Sequence, residues 1–108
     1  MNDVVIGKGK IFGKGVFAKR DFKKGEIVIK YNLVPLTKKE YDSLSEMEKN
    51  FCHTYSRQIY IYSSPERYVN HSSKPNTIQD IKNQCDIAIR DIICGEEITT
   101  DATKDDAL

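Results

Sequence analysis

Cysteine is scarce in this chain of 108 residues: Cys52, Cys85 and Cys94 are odd in number, and none stands in a Cys-x-x-Cys pair. A disulfide framework and a cysteine-built zinc site are therefore not what organises it. The expectation is three buried structural thiols in a reducing, cytoplasmic setting (nuclear in a eukaryote). Long apolar runs are missing too. No stretch approaches the ~20 residues of a membrane span, and MNDVVIGKGK at the start lacks the apolar centre of a signal peptide, so no membrane partner is expected. Net charge is almost absent, with 17 basic and 16 acidic residues giving +1. A hydrophobic fraction of 39%, with six glycines besides, lies near the globular average of about 45% and argues against disorder. The length fits one domain over residues 1–108 with one small core.

The small net charge hides a gradient. Residues 1–30 carry eight Lys/Arg against three Asp/Glu, and residues 84–108 carry two against seven. A basic face of this kind can steer an anionic partner. The chain has neither a recognition-helix pattern nor an aromatic RNA-binding signature, which argues against nucleic acid as that partner. The acidic residues 103–108 read as a terminal tail.

Strand signals dominate. Residues 16–18, 26–31, 60–62, 86–90 and 97–100 are β-branched, aromatic or alternating, and are bounded by Gly, Ser or Pro. One helix is expected over residues 37–51, where Thr37-x-x-Glu40 forms a capping box ahead of Tyr41, Leu44, Met47 and Phe51. The stretch AKRDFKKGE (18–26) returns 70 positions later as AIRDIICGE (88–96), with five of nine residues identical. One echo is too little for a repeat array, but it suggests two similar strand–turn–strand units in a pseudo-symmetric β structure.

Two clusters carry potential chemistry. Gly13-Lys14-Gly15-Val16-Phe17-Ala18 is not a phosphate-binding loop, because no Gly-Lys-Ser/Thr step follows the required spacing. Nor is it a dinucleotide fingerprint, since a strand rather than a helix follows it. What remains is a backbone that turns sharply or approaches something closely at Gly13 and Gly15. The second cluster, Arg67-Tyr68-Val69-Asn70-His71-Ser72-Ser73-Lys74-Pro75-Asn76, has loop composition. His53 lies 18 residues before His71, with no carboxylate at ligand spacing beside His71, so no metal site is expected. No Gly-x-Ser-x-Gly elbow exists for a hydrolase nucleophile.

Taken in order, Gly13-x-Gly15, Lys24-Gly25-Glu26-Ile27 leading to Tyr31, Asn70-His71-Ser72-x-x-Pro75-Asn76 and Gly95-Glu96-Glu97-Ile98-Thr99 resemble the SET-domain family of protein-lysine methyltransferases, in a minimal single-domain form. The resemblance implies a mostly β fold (the β-clip) of small curved sheets. In it the Asn-His-Ser segment is threaded under a later loop as a pseudoknot, and an insert over residues 35–62 holds the one short helix. It implies S-adenosylmethionine as cofactor, with Gly13, Lys14, Gly15, Asn70 and His71 binding it from one face. It implies a lysine-bearing protein or peptide as substrate, entering by a channel from the other face. Tyr31 stands where many members place a channel tyrosine and would orient the amine, while Arg67 would brace its loop.

One departure bears on catalysis. The family's motif ends in an Asp-Tyr step whose tyrosine is the main catalytic residue, and here the position is Ala102. Two readings follow: a methyltransferase, or a SET-fold binding module with little or no turnover. A short tail also leaves room for a second copy of the chain, as a homodimer, to complete the channel.

Overall fold

The computed structural model describes residues 3–10 and 13–101, so Ala102 and the acidic tail lie outside the described residues. In chain order the elements are strands β1 (Val4–Lys8), β2 (Lys14–Ala18), β3 (Ile27–Lys30) and β4 (Val34–Leu36), then helices α1 (Lys38–Asp42) and α2 (Glu46–Lys49). Strands β5 (Cys52–Tyr55) and β6 (Gln58–Ile61) and a 3₁₀ turn Glu66–Tyr68 come next. Strands β7 (Asn70–His71), β8 (Thr77–Asp80), β9 (Cys85–Ala88) and β10 (Glu97–Thr100) complete the described chain. They form three sheets of order β1-β2-β10-β7, β3-β9-β8 and β4-β6-β5.

The first two sheets are built on one plan. In one, the β1-β2 hairpin is joined by β10, with Phe17 opposite Glu97 and Val16 opposite Ile98. In the other, the β8-β9 hairpin is joined by β3, with Ile87 opposite Ile27. Each unit's hairpin therefore takes its third strand from the other unit. The turns that carry the chain across are the two halves of the sequence echo, and they clasp each other. Phe22 and Ile92 exchange both backbone hydrogen bonds at 2.8 Å. Gly25 N–H donates to Ala88 C=O and Gly95 N–H to Ala18 C=O, both at 2.8 Å. Asp91 accepts Lys24 N–H at 2.9 Å, and Asp21 accepts Cys94 N–H at 2.7 Å. Gly25 and Gly95 have φ of 93° and 95°, a backbone that only glycine adopts without strain.

The clasp closes over the core. Val16, Phe22, Ile92 and Ile98 are all but inaccessible, and Val28, Ile29, Ala18 and Ala88 surround them. Its rim is charged and paired: Arg20 bonds Glu26 at 3.2 Å and Arg90 bonds Glu96 at 3.1 Å. The Lys23 N–H, then the Arg20 guanidinium, hold Glu26 below the usual carboxylate range. Burial pushes Glu96 up, but the Ile93 N–H and Arg90 outweigh it and the net shift is downward.

The third sheet belongs to the insert. Pro35 stands opposite Tyr60 on β4, an edge strand where a missing N–H is tolerated. Ser56 and Arg57 turn β5 into β6 with φ of 53° and 68°, the signs of the two-residue hairpin turn whose twist suits paired strands.

Three expectations need correction. The single helix over residues 37–51 is two short ones. Thr37 caps α1 through its capping box, but Ser45 accepts the Glu48 N–H and starts a second helix, and neither helix contains a buried residue. Asp86, read as the polar side of a half-buried strand, is 2% exposed, because it accepts the Tyr31 hydroxyl in the interior. Of the thiols only Cys85 is buried; Cys52 is intermediate and Cys94 is exposed at the tip of the second clasp turn.

The matched geometry of the clasp generates a matched pair of effects. Asp21→Ala and Asp91→Ala are each expected to destabilise the fold by about 1–2 kcal/mol, the range for a lost bond to a charged acceptor at a partly solvated site. Urea unfolding of the two variants checks this, and a loss confined to one of them would show that the symmetry is geometric only. The carboxylate part of the clasp has its full effect above the ordinary Glu pKa of about 4.3, and is lost as pH falls through the lower folded values of Glu26 and Glu96.

Candidate active site

Strand β10 sits between β2 and β7 and brings together motifs that are far apart in sequence. On its β7 side the pairing is parallel, Thr99 with Asn70 and Thr100 with His71. Asn76 then takes the place of a further strand. It is 1% exposed; its Nδ2 donates to Glu97 C=O and its Oδ1 accepts the Thr99 N–H, both at 2.8 Å. Thr77 adds a hydroxyl bond to Thr99 C=O at 2.7 Å. The Asn70–Asn76 segment is thus pinned against β10 as the resemblance implied.

The side chain of Glu97 ties this segment to the glycine loop. Its Oε1 accepts the Lys10 N–H at 2.9 Å, and its Oε2 accepts Asn70 Nδ2 at 2.8 Å. Asn70 Nδ2 also donates to Lys14 C=O at 3.0 Å, across 56 residues of sequence. A Cβ on Gly15 would lie 2.5 Å from Glu97 Oε2 and 2.9 Å from Gly9 Cα. The glycine at 15 is therefore required by the protein's own atoms. Gly13 differs: its φ is 44° and a Cβ there would meet nothing within 4 Å, so its backbone faces open space. Lys14 carries its ammonium 5.1 Å from the Tyr68 ring centroid. His71 is exposed, with Nδ1 3.7 Å from Asp101 Oδ1. Gly13, Lys14, Gly15, Asn70 and His71 are all brought to one sheet region.

Strand alternation turns Glu97 and Thr99 to one face of β10 and Ile98 and Thr100 to the other. Thr100 lines a cavity of about 260 Å³, together with Phe51, His53, Tyr62, Glu66 and Gln79. The Tyr62 hydroxyl lies 2.5 Å from His53 Nδ1 and donates to Gln79 Oε1 at 3.3 Å. Tyr31 stands behind this wall, its ring edge-on to Tyr62 at 5.6 Å and its hydroxyl given to Asp86. Glu66 Oε2 accepts the N–H groups of Asn32 at 2.8 Å and Ser63 at 3.1 Å, fastening the 3₁₀ turn. Arg67 braces, as expected: its Nε donates to Tyr62 C=O at 2.9 Å, and its Nη1 pairs with Glu48 at 3.1 Å over the face of Phe51.

Glu97 was visible in the Gly-Glu-Glu motif without its structural task being legible. His53, Glu66, Gln79 and Thr100 carried no sequence signal, since they come from four separate elements. Because Gly15 packs against Glu97, Gly15→Ala is expected to displace that carboxylate and lower stability by about 1–3 kcal/mol, as overpacking does. Gly13→Ala is expected to cost about 1 kcal/mol for its positive φ alone. Thermal unfolding of the two variants measures the difference.

The comparisons agree with this arrangement. A model of the SET domain matches residues 13–101. The chain is 32% identical, over 92% of its length, to a variant-silencing SET domain-containing protein of Plasmodium falciparum, of which it spans 5%. It is 31% identical, over 92% of its length, to the N-lysine methyltransferase KMT5A-B of Xenopus laevis, of which it spans 34%. It is 29% identical, over 93%, to the histone-lysine N-methyltransferase trr of Drosophila melanogaster, of which it spans 5%. The chain thus spans about a third of one of these relatives and a twentieth of the other two. The crystal structure of a candidate histone methyltransferase of Plasmodium falciparum has the same fold, with a TM-score of 0.77 at 21% identity over 94% of this chain and 93% of that one. With a family match over most of its length and the Gly-x-Gly and Asn-His motifs joined through Asn70 and Glu97, the chain belongs to the SET-domain family.

Proposed function

We propose that the protein is a methyltransferase acting on the ε-amine of a lysine in a protein or peptide, with S-adenosylmethionine as methyl donor. The observation that carries this reading is the Asn70 side chain, which bonds Lys14 C=O and Glu97 Oε2 and so fixes both cofactor motifs on one face of β10 while a polar, aromatic-walled cavity lies on the other. The residues present suit the cofactor. The open backbone at Gly13 leaves room for close approach, the Lys14 ammonium suits a carboxylate, and Tyr68 and His71 offer flat rings to a heterocycle. When bound, the cofactor supplies a sulfonium methyl as electrophile.

The protein's own part is to deliver a neutral amine in line. A free lysine has a pKa near 10.4, so a pocket that excludes water and holds the amine beside a positive sulfur favours the neutral form by desolvation and like charge. Alignment then contributes the larger share of rate. Tyr31, which donates its hydroxyl to Asp86 and packs edge-on to Tyr62, suits a positioning role behind the wall that the amine would meet. The second reading, a binding module with little turnover, rests on Ala102 standing at the tyrosine position.

Calorimetric titration with S-adenosylmethionine tests the cofactor assignment. Micromolar affinity is expected, weakened about tenfold or more by Asn70→Ala through loss of a positioned loop. Affinity no better than millimolar would reject the assignment. Single-turnover transfer to lysine peptides separates the two readings. Tyr31→Phe is expected to reduce the rate, and Ala102→Tyr to raise it by up to about 10²–10³, the worth of one well-placed transition-state donor. Cofactor binding with no transfer by either the parent protein or Ala102→Tyr establishes the binding module.

A further inference from the structure

An antiparallel sheet with one face to solvent carries polar residues on that face. The sheet β3-β9-β8 does not. Its inner face holds Ile29, Asp86, Gln79, Ala88 and Thr77, and all but Gln79 are buried. Alternation turns Ile27, Ile87 and Ile78 the other way, and the register sets them side by side in one row across the three strands. Ile27 is 53% exposed and Ile78 is 47% exposed. Ile89, two residues beyond Ile87 and so on the same face, is 40% exposed. The neighbouring outer row is Lys30, Cys85 and Asp80, a cation on one edge of the sheet and an anion on the other. Lys30 enters no ion pair among the described residues. Asp80 accepts two bonds from Asn83, which leaves lone pairs on its carboxylate. An apolar row rimmed by charge marks a docking face, and here the charges say what docks.

We propose that this outer face of β3-β9-β8 binds a second copy of the chain in a two-fold dimer. The face is complementary to itself. A two-fold axis along β9, the central strand, sets β3 of one protomer over β8 of its partner. Ile27 then packs on the partner's Ile78, and Ile87 on the partner's Ile87. In the next row Lys30 meets the partner's Asp80, and Asp80 meets the partner's Lys30. Both ion pairs form at once, as an isologous interface demands, and the sheets stack in the aligned way usual for two β faces. An unrelated protein would have to bring the same apolar row with the opposite charges, which this chain already carries. The partner lies on the outside of the sheet, whereas Gln79 lines the cavity from the inside. The dimer therefore makes no use of the cavity, and the proposal does not rest on the methyltransferase reading.

Sedimentation equilibrium of the full chain, from micromolar to millimolar concentration, tests it. The expected result is a reversible dimer of twice the 12.4 kDa of one chain. Ile78→Glu, at an exposed position, is expected to weaken the dimer about a hundredfold or more, because two unpaired carboxylates would be buried in it. Lys30→Asp and Asp80→Lys each set like charges together at two contacts, and each is expected to weaken it about tenfold. An equimolar mixture of these two variants restores opposite charges at both contacts, so a heterodimer as tight as the parent dimer is expected. Asp80→Asn, which keeps an acceptor for Asn83, takes the place of Asp80→Lys if that variant does not fold. A dimer indifferent to Ile78→Glu, or a mixture that recovers no affinity, overturns the proposal. A chain monomeric throughout overturns it too and leaves the face to a different protein. Dimerisation that appears only when residues 102–108 are removed overturns it as well, and assigns the face to the chain's own tail.

Discussion

The rest of the structure depends on the clasp between residues 18–26 and 88–96. Each turn donates to, and accepts from, the other at positions 70 apart, from the Phe22–Ile92 pair through the glycine N–H groups to the reciprocal Asp21 and Asp91 caps. A turn of this size has too little apolar surface to hold its shape alone. Facing its counterpart, it satisfies its backbone donors and buries Phe22 and Ile92 at about 1% exposure, which is what makes two bent segments into one rigid object. The charged rim adds little of its own, since exposed ion pairs contribute about 0–1 kcal/mol.

From that fixed point the site follows geometrically. The second turn launches β10, and the register set at Phe17–Glu97 decides which residues of Gly-Glu-Glu-Ile-Thr face the glycine loop and which face the core. A slip of one residue would exchange Glu97 for Ile98 and place a carboxylate in the apolar interior. Glu97 in place can receive Lys10 and Asn70, and Asn76 can close the far edge of β10. The face toward the glycine loop and the face toward the cavity are therefore opposite sides of one short strand.

Much of this could be read from the residues. The strands at 16–18, 26–31 and 97–100 carried their pattern locally, and the echo of 18–26 in 88–96 was a true image of the clasp. The motif order also identified the family. Strands β1, β4, β5, β7 and β8 were not read: β1 is a single short apolar run with glycines at 7 and 9, and the others are two to four residues long without bounding glycines to mark them. Ser45 hid the break between the helices, since a serine inside an otherwise helical spacing reads as tolerated until its hydroxyl is seen capping Glu48. Asp86 was misread because alternation alone cannot tell a solvated carboxylate from one paired with Tyr31 in the core. The cavity was invisible for a different reason: its lining is drawn from β5, β6, the 3₁₀ turn, β8 and β10, and no local pattern encodes that convergence.

The exchange of third strands between the two hairpin units has a consequence for how the chain reaches this state. β10 is an interior strand of a sheet whose other main strands, β1 and β2, lie some 80 to 90 residues earlier, and β3 waits in the same way for β9. Neither sheet can close from one unit's residues alone. On a ribosome, β1 and β2 can pair with each other at once, but the other edge of β2 would wait for β10 and β3 would wait for β9. Long-range pairing of this kind places the entropy of loop closure ahead of any stabilising contact and makes folding slow. During that interval the edges of Lys14–Ala18 and Ile27–Lys30 are open to other chains, and the lysines at 14 and 30 give them the charge that discourages such pairing. Lysine at these two strands then has a use in the interval before β9 and β10 arrive that is separate from any partner.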